Sequence, residues 1–384
     1  MRKPVPSPTD DILESDRLDG APHPRHTEHL FGHSAAEADF LQAIAQNRLH
    51  HAWLITGPKG VGKATLAWRI ARFLLATPIH NDAALFAEAA PAPPDTLDVP
   101  VDHPVARRIA ALSQQGIVVL RRPWDDKLKR LKTEITVDEA RKLKEFFAKT
   151  IPDGGRRVVI VDCADEMNPS AANAVLKVLE EPPRNTVFLL VSHQPSGLLP
   201  TIKSRCRPLR CAPLGGDDMA RALAPLALEM PQNMDALATL AAGSVGAAVS
   251  LLQQGGPDVY AKIVALFSTT PHLDRTVAIQ FAEWAGARGA ADRLPLVTGL
   301  LALFLSRLAR FGVLGPVGLA AAADETAVMS RLCTGPVAAR RWADLHQTLG
   351  AELQHGLAVN LDPATMILDT VLKINATAEA LVQR

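Results

Sequence analysis

The chain has 384 residues, with 41 basic and 40 acidic side chains and a net charge of +1. That length exceeds what one hydrophobic core organises, so two or three domains are expected, and the balanced charge gives no support for a chain-wide nucleic-acid or membrane surface. The four cysteines, Cys163, Cys206, Cys211 and Cys333, contain no C-x-x-C pair, a scatter that fits a reducing compartment and argues against a zinc site.

Met1 to Arg25 is rich in Pro, Asp and Arg without an apolar run, unlike a signal peptide. The longest apolar stretch, Leu294 to Leu305, is about a dozen residues with a proline inside, against the ~20 that span a bilayer. A soluble, cytoplasmic chain with no membrane partner is expected. Residues 1–28 read as a disordered tail, since their charges and prolines offer nothing to bury. His23, His26, His29 and His33 straddle Pro24 in or just after that tail and read as solvated rather than metal-binding.

A helix is predicted from Ser34 to about Asn47, with Ala38, Leu41, Ile44 and Ala45 on one face. Ala52 to Thr56 is apolar throughout, as a parallel strand covered on both faces would be. Lys63 to Leu75 is predicted helical, followed by a Pro/Ala/Asp-rich surface insert over Thr77 to His103. Ile117 to Leu120, Val158 to Asp162 and Val187 to Ser192 are further buried strands, with a helix from Ser170 to Glu180 closed by Pro182-Pro183. Strands alternating with helices specify a doubly wound α/β domain. Beyond Pro213 only Ala/Leu-rich helical patterns remain.

Between the first strand and its helix, Gly57-Pro-Lys-Gly60-Val-Gly62-Lys63-Ala64-Thr65 follows the P-loop pattern G-x-x-x-x-G-K-[ST] except at Ala64. Gly57, Gly60, Gly62 and Lys63 keep the backbone amides and the cation that hold phosphates, while Ala64 lacks the hydroxyl that ligates magnesium. Thr65 is a poor substitute, because one residue along a helix turns a side chain by ~100°. Val158-Val-Ile-Val-Asp162 ends in the aspartate that holds magnesium in P-loop NTPases, but the next residue, Cys163, cannot act as a carboxylate base. Asp165 and Glu166 read as a solvated or capping pair. Ser192 and His193 end a strand where this fold places a sensor of the γ-phosphate. In Thr201-Ile-Lys-Ser204-Arg205-Cys206-Arg207, an arginine on a loop after the core strands can reach a neighbouring subunit's nucleotide. The run Lys127-Leu-Lys-Arg-Leu-Lys132 is either a DNA-phosphate contact or an exposed basic loop.

Gly57 to Thr65, Ala171-Ala-Asn-Ala-Val-Leu-Lys-Val-Leu-Glu-Glu-Pro-Pro183 and Ser204-Arg205-Cys206 together resemble the bacterial clamp-loader branch of the AAA+ proteins. The resemblance implies an AAA+ α/β P-loop domain over 29–212, a small helical lid over 213–256 and an all-helical collar, the oligomerisation domain, over 257–384. Motor subunits of that branch are expected to carry Ser/Thr at Ala64, glutamate at Cys163 and a lid arginine where this chain has Gly246. The resemblance therefore implies a non-hydrolysing scaffold, or stator, subunit with little or no ATPase or polymerase activity of its own, which donates Arg205 in trans as an arginine finger.

Its implied partners are the motor (gamma/tau) and delta subunits of a DNA polymerase III hetero-pentamer, the sliding clamp and primed DNA. ATP or ADP held without hydrolysis at Gly57, Gly60, Gly62, Lys63, Thr65 and Asp162 stays open as a cofactor. The family's four-cysteine zinc module is absent, because no cysteine lies between Lys63 and Arg157. The alternatives are an active clamp-loader ATPase using Thr65 and Asp165, and a stand-alone AAA+ DNA-binding regulator.

Overall fold

A computed structural model describes residues 14–78, 94–151, 155–287, 293–316 and 318–382, in two compact units that divide after Leu214. The first unit is built on a five-stranded, wholly parallel sheet. Its strands are β1 (Ala52–Thr56), β2 (Ile117–Arg121), β5 (Arg157–Asp162), β6 (Thr186–Ser192) and β7 (Arg207–Arg210), in the spatial order β2-β5-β6-β1-β7. A two-stranded antiparallel hairpin, β3 (Trp124–Asp125) with β4 (Arg130–Leu131), follows β2. The helices are α1 (Ser34–Ala45), α2 (Lys63–Ala76), α3 (Pro104–Ala110), α4 (Val137–Ala148), α5 (Pro169–Glu180) and α6 (Pro200–Lys203).

The apolar strands are apolar because both faces of the sheet are covered. Leu54, Val159, Val161, Phe188 and Leu190 share one face with Leu143 of α4 and with Val175 and Leu179 of α5. The alternate residues, including Trp53, Ile55, Val158 and Ile160, are equally buried on the other face, where α2 brings Leu66, Ile70 and Phe73. Crossing from β1 to β2 skips two strands, which opens a crevice at the carboxyl ends of β1, β5 and β6, the usual ligand position in such sheets.

The predicted strands and the helix starts at Ser34 and Lys63 fall where the structure has them, to within a residue. The face of α1 differs: Ala36, Phe40, Leu41 and Ala43 are buried, whereas Ala38 and Ala45 are exposed. The short strand β7 escaped the pattern because Arg-Pro-Leu-Arg has one apolar residue, Leu209, turned inward. Its proline is tolerated because β7 is an edge strand paired only with β1.

The tail reading of 1–28 needs correction where the chain is described. Residues 14–27 are ordered, with a 3-10 turn at Pro24–His26, and residues 1–13 lie outside the described part. Arg121 at the end of β2 meets Asp16 at 2.7 Å and Glu14 at 2.6 Å, and Arg25 meets Glu14. His23 is buried, edge-on to Trp68 of α2 at 5.8 Å and within 3.0 Å of Asp16. Burial would raise the Asp16 carboxyl, but its hydrogen bond with His23 and the Arg121 charge overcome that and hold it below the usual range. On α2, Arg69 and Arg72 donate to the carbonyls of Glu28 and Thr27, strapping the segment down. The histidines split accordingly: His23 and His33 are buried, His26 and His29 exposed. Of the predicted insert, residues 79–93 lie outside the described part, and Asp98 anchors to Arg69 at 2.9 Å.

Among the described residues the second unit is wholly helical: α7 (Gly216–Leu223), α8 (Met234–Leu240), α9 (Val245–Gln253), α10 (Gly256–Leu266), α11 (Arg275–Ala285), α12 (Arg293–Leu314), α13 (Glu325–Leu332), α14 (Pro336–Ala358) and α15 (Pro363–Val382). Helix α12 has the length and hydropathy of a bilayer span. Its buried residues, however, are Val297, Leu300, Leu301, Phe304, Leu305 and Leu308, a stripe at helical spacing that packs within the unit, chiefly against α14. Burial of one stripe is the signature of a core helix.

Candidate functional site

Three turns of positive φ shape the loop between β1 and α2: Gly57 at 149°, Gly60 at 78° and Gly62 at 105°. Gly57 is also held by space, since a Cβ there would lie 2.3 Å from the Cys211 carbonyl oxygen. Above the loop, His33 Nε2 donates to the Val61 carbonyl at 2.6 Å, and a Cβ on Gly62 would meet Leu30 at 3.0 Å. This histidine is therefore part of the loop's scaffold, a role that neither its spacing nor its neighbours in sequence announced.

The fold thus brings Gly57, Gly60, Gly62 and Lys63 into a phosphate-cradle geometry with α2 beginning at Lys63. Lys63 is buried and donates to the carbonyls of Gly57 (2.7 Å) and Pro58. Burial pulls its ammonium below the ordinary lysine range, partly opposed by Cys163, Cys211, Asp162 and Asp165. Ala64 offers no ligand, and Thr65 is only half-buried in the first turn of α2. The cradle side of the site fits a phosphate; the magnesium side does not.

Asp162 ends β5, as the apolar strand pattern predicts; it lies beside Lys63, yet its carboxyl is pushed up to about 7. Burial is the main cause, Asp16 and Glu166 add to it, and Lys63 and Arg121 oppose it. Cys163 is buried; burial, with the Asp165 carboxylate beside it, takes its thiol far above the thiolate range, so it is neither base nor nucleophile. All four cysteines are free thiols.

Asp165 is half-buried, and both of its carboxylate oxygens are engaged within the protein. Its Oδ1 accepts from the Ser192 hydroxyl at 2.6 Å, and its Oδ2 accepts from Cys163 Sγ (3.0 Å), Gln194 N (3.0 Å) and His193 N. Of the two readings, capping is the one the geometry supports: the carboxylate staples the turn after β5 to the end of β6. It also occupies Ser192, the candidate sensor. His193 is depressed to about 4, first by burial and then by Lys63, so its ring is neutral near pH 7. Glu166 pairs with Arg122 at 2.7 Å.

Arg205 lies between α6 and β7, so the edge strand that sequence reading missed fixes where it emerges. Its guanidinium pairs with Glu180 at the end of α5 and donates to the Thr201 carbonyl. Glu180 belongs to the helix motif at 171–183, and nothing in its spacing along the chain announces its place beside Arg205. In the second unit Gly246 falls in the first turn of α9, whose N-cap is Ser244, and supplies no side chain.

A parallel sheet in the order above, with a P-loop after its first strand and an acid at the end of the strand after next, defines an AAA+ P-loop domain. The family described as DNA polymerase III, delta subunit, matches residues 32–215. The delta-prime subunit of DNA polymerase III from Pseudomonas aeruginosa is 38% identical over 220 residues, covering 56% of this chain and 59% of that protein. Its Escherichia coli counterpart is 40% identical over 125 residues, 32% and 36% of the two chains. The gamma/tau subunit from Mycobacterium tuberculosis is 30% identical over 193 residues, 48% of this chain and 28% of that one. Residues 32–215 thus match that family's model, and the relatives with which the chain shares 30–40% identity are delta-prime and gamma/tau subunits of DNA polymerase III, so over this segment the chain is similar to clamp-loader subunits.

The match spans less than two thirds of these relatives' own lengths. A DNA polymerase III gamma subunit-related protein from Thermotoga maritima aligns over 89% of this chain and 99% of its own, at 16% identity and a TM-score of 0.35. At that score the superposition carries no weight, and the fold rests on the strand order itself.

Proposed function

We propose that this chain is a non-hydrolysing stator of the DNA polymerase III clamp loader, which donates Arg205 in trans to a neighbouring motor subunit's ATP site. The observation that carries the reading is the contrast between its own site and Arg205. At its own site Ala64 lacks the hydroxyl, Cys163 stands where the base belongs, and every oxygen of Asp165 is engaged within the protein. Arg205 remains partly exposed, and among the described residues a surface ion pair and one carbonyl hold it.

In this reading the cradle at Gly57, Gly60, Gly62 and Lys63 holds ATP or ADP without turnover, or serves only to pack β1 on α2. The AAA+ domain (29–212), lid (213–256) and collar (257–384) join gamma/tau and delta subunits in a hetero-pentamer that opens the sliding clamp on primed DNA. The protein works in the cytoplasm.

Reconstitution with motor subunits tests it. Arg205→Ala should fold and assemble yet lower the ATPase of the complex. Trans fingers contribute about 10³ to 10⁵ in rate where measured, diluted here by the other motor sites. Unchanged turnover removes the finger assignment. The gamma/tau relative motivates a second reading, an active ATPase. It requires magnesium-dependent turnover by the isolated chain that Lys63→Ala abolishes, and Asp165 as a free base, which its four hydrogen bonds disfavour.

A further inference from the structure

The basic run at 127–132 is not a loose loop. Trp124 and Leu131, and Asp125 and Arg130, pair across the β3–β4 hairpin, and Lys132 N closes its base on the Pro123 carbonyl at 2.9 Å. The turn is fixed by Asp125, whose Oδ1 accepts from the backbone N–H groups of Lys127 and Leu128. Lys129 takes the left-handed conformation the turn needs. Three residues beyond, the buried Ile135 is tied into the domain: its N–H donates to the Glu166 carbonyl at 2.7 Å, and its own carbonyl accepts from Asn168 N.

Charge is distributed unevenly along this element. Where it leaves the sheet, every cation has an acid: Arg121 has Asp16 and Glu14, and Arg122 has Glu166. At the projecting end, Lys127, Lys129, Arg130 and Lys132 are all exposed, and among the described residues none makes an ion pair. Asp125 fixes the turn and, lying across from Arg130, offsets part of the charge together with Asp126, so the hairpin keeps an excess of two positive charges. A chain with a net charge of +1 therefore carries a rigid, local concentration of positive charge.

We propose that the β3–β4 hairpin is a DNA-contact surface, with Lys127, Lys129, Arg130 and Lys132 engaging phosphates of the nucleic-acid backbone. Four cations on a pre-formed hairpin lose little freedom on binding, and phosphate contact requires positive charge without base-specific geometry. The exposed Leu128 at the tip would lie against sugar rather than read a base. The choice of DNA over other polyanions rests on the replication reading above. The surface is read on this chain alone, so a failed reconstitution with motor subunits would leave the test intact.

The experiment measures binding of the full chain to a fluorescein-labelled primed template, a duplex of about 20 base pairs with a single-stranded overhang, across a salt series. Each duplex phosphate contact adds about 0.9 to the slope of log K against log salt. The variant K127A/K129A/R130A/K132A should bind more weakly and lose about 2 to 4 from that slope, whereas K127R/K129R/K132R should keep it. All four side chains are exposed, so the thermal midpoint should not move. Absence of wild-type binding, or an unchanged slope in the alanine variant, overturns the proposal. So does equal, hairpin-dependent binding to phosphatidylserine vesicles, which would make a lipid surface the partner.

Discussion

The Arg205 guanidinium lies 2.9 Å from the Glu180 carboxylate, the two side chains being 36% and 44% exposed. An ion pair so open to water contributes roughly 0–1 kcal/mol, so it parks the arginine without locking it. If Arg205 serves a neighbour's site, the pair opens first. Glu180→Gln should leave folding unchanged and raise turnover of the assembled complex, by at most about fivefold, the equivalent of ~1 kcal/mol. A loss of turnover in that variant would mean instead that Glu180 aims the finger.

Asp165 presents the opposite case, a carboxylate with no freedom. It accepts from Ser192, Cys163, His193 and Gln194, and these hydrogen bonds hold its pKa below the usual range although burial alone would raise it. Removing the acceptor leaves two backbone N–H groups and a buried hydroxyl unpaired. Asp165→Ala should cost about 2–4 kcal/mol in urea unfolding, and Ser192→Ala about 1 kcal/mol. A displaced catalytic base would show the reverse pattern, with stability kept and turnover by the isolated chain lost.

The contrast between these two acids marks what was legible. The sheet's buried strands announce themselves as apolar runs, and the positions of the glycine loop after β1, of Asp162 at a strand end and of Arg205 before the edge strand follow from type and spacing, because local pattern determines them. Asp165 and Glu166 could be named but not given partners, since Ser192 and Arg122 come from other elements. The segment 14–28 failed for the same reason: its composition offers nothing to bury, yet Arg121, about 100 residues on, and Arg69 and Arg72 on α2 supply what holds it. Edge strand β7, with one inward residue, had too little period to detect.

Asp162 gives the fold a pH dependence whose sign follows from its surroundings. Its ordinary value is 3.8 and its folded value about 7. Below pH 4 both folded and unfolded chains hold the proton, and the carboxyl contributes nothing to the difference. Between pH 4 and 7 the unfolded chain releases it while the folded chain retains it, so stability falls as pH rises, then levels off above 7. At 1.36 kcal/mol per pKa unit the loss is at most about 4 kcal/mol. Asp162→Asn should match the wild type near pH 4 and exceed it increasingly toward pH 8 in guanidinium unfolding. Equal stability of the two proteins at pH 8 would show that Lys63 and Arg121 already compensate the buried charge.

In the second unit Glu325 is 1% exposed and accepts from the Tyr260 hydroxyl (2.5 Å), Arg307 Nε (2.7 Å) and Arg307 Nη2 (3.1 Å), and from Ala321 N. These contacts join α10, α12 and α13 at one buried point, beside the stacked rings of Phe267 and Phe304. Deleting the carboxylate strands a buried guanidinium and a phenol together, so Glu325→Ala should destabilise the protein by about 3–5 kcal/mol. Tyr260→Phe removes one donor and leaves the ion pair, so it should cost about 1–2 kcal/mol. Replacing both charges, as Arg307→Met with Glu325→Leu, should be far milder than Glu325→Ala, because neither desolvated ion remains without a partner. Comparing these variants by thermal unfolding separates two roles for the pair. If the double replacement is as damaging as Glu325→Ala, the ion pair directs helix placement rather than merely neutralising its own burial.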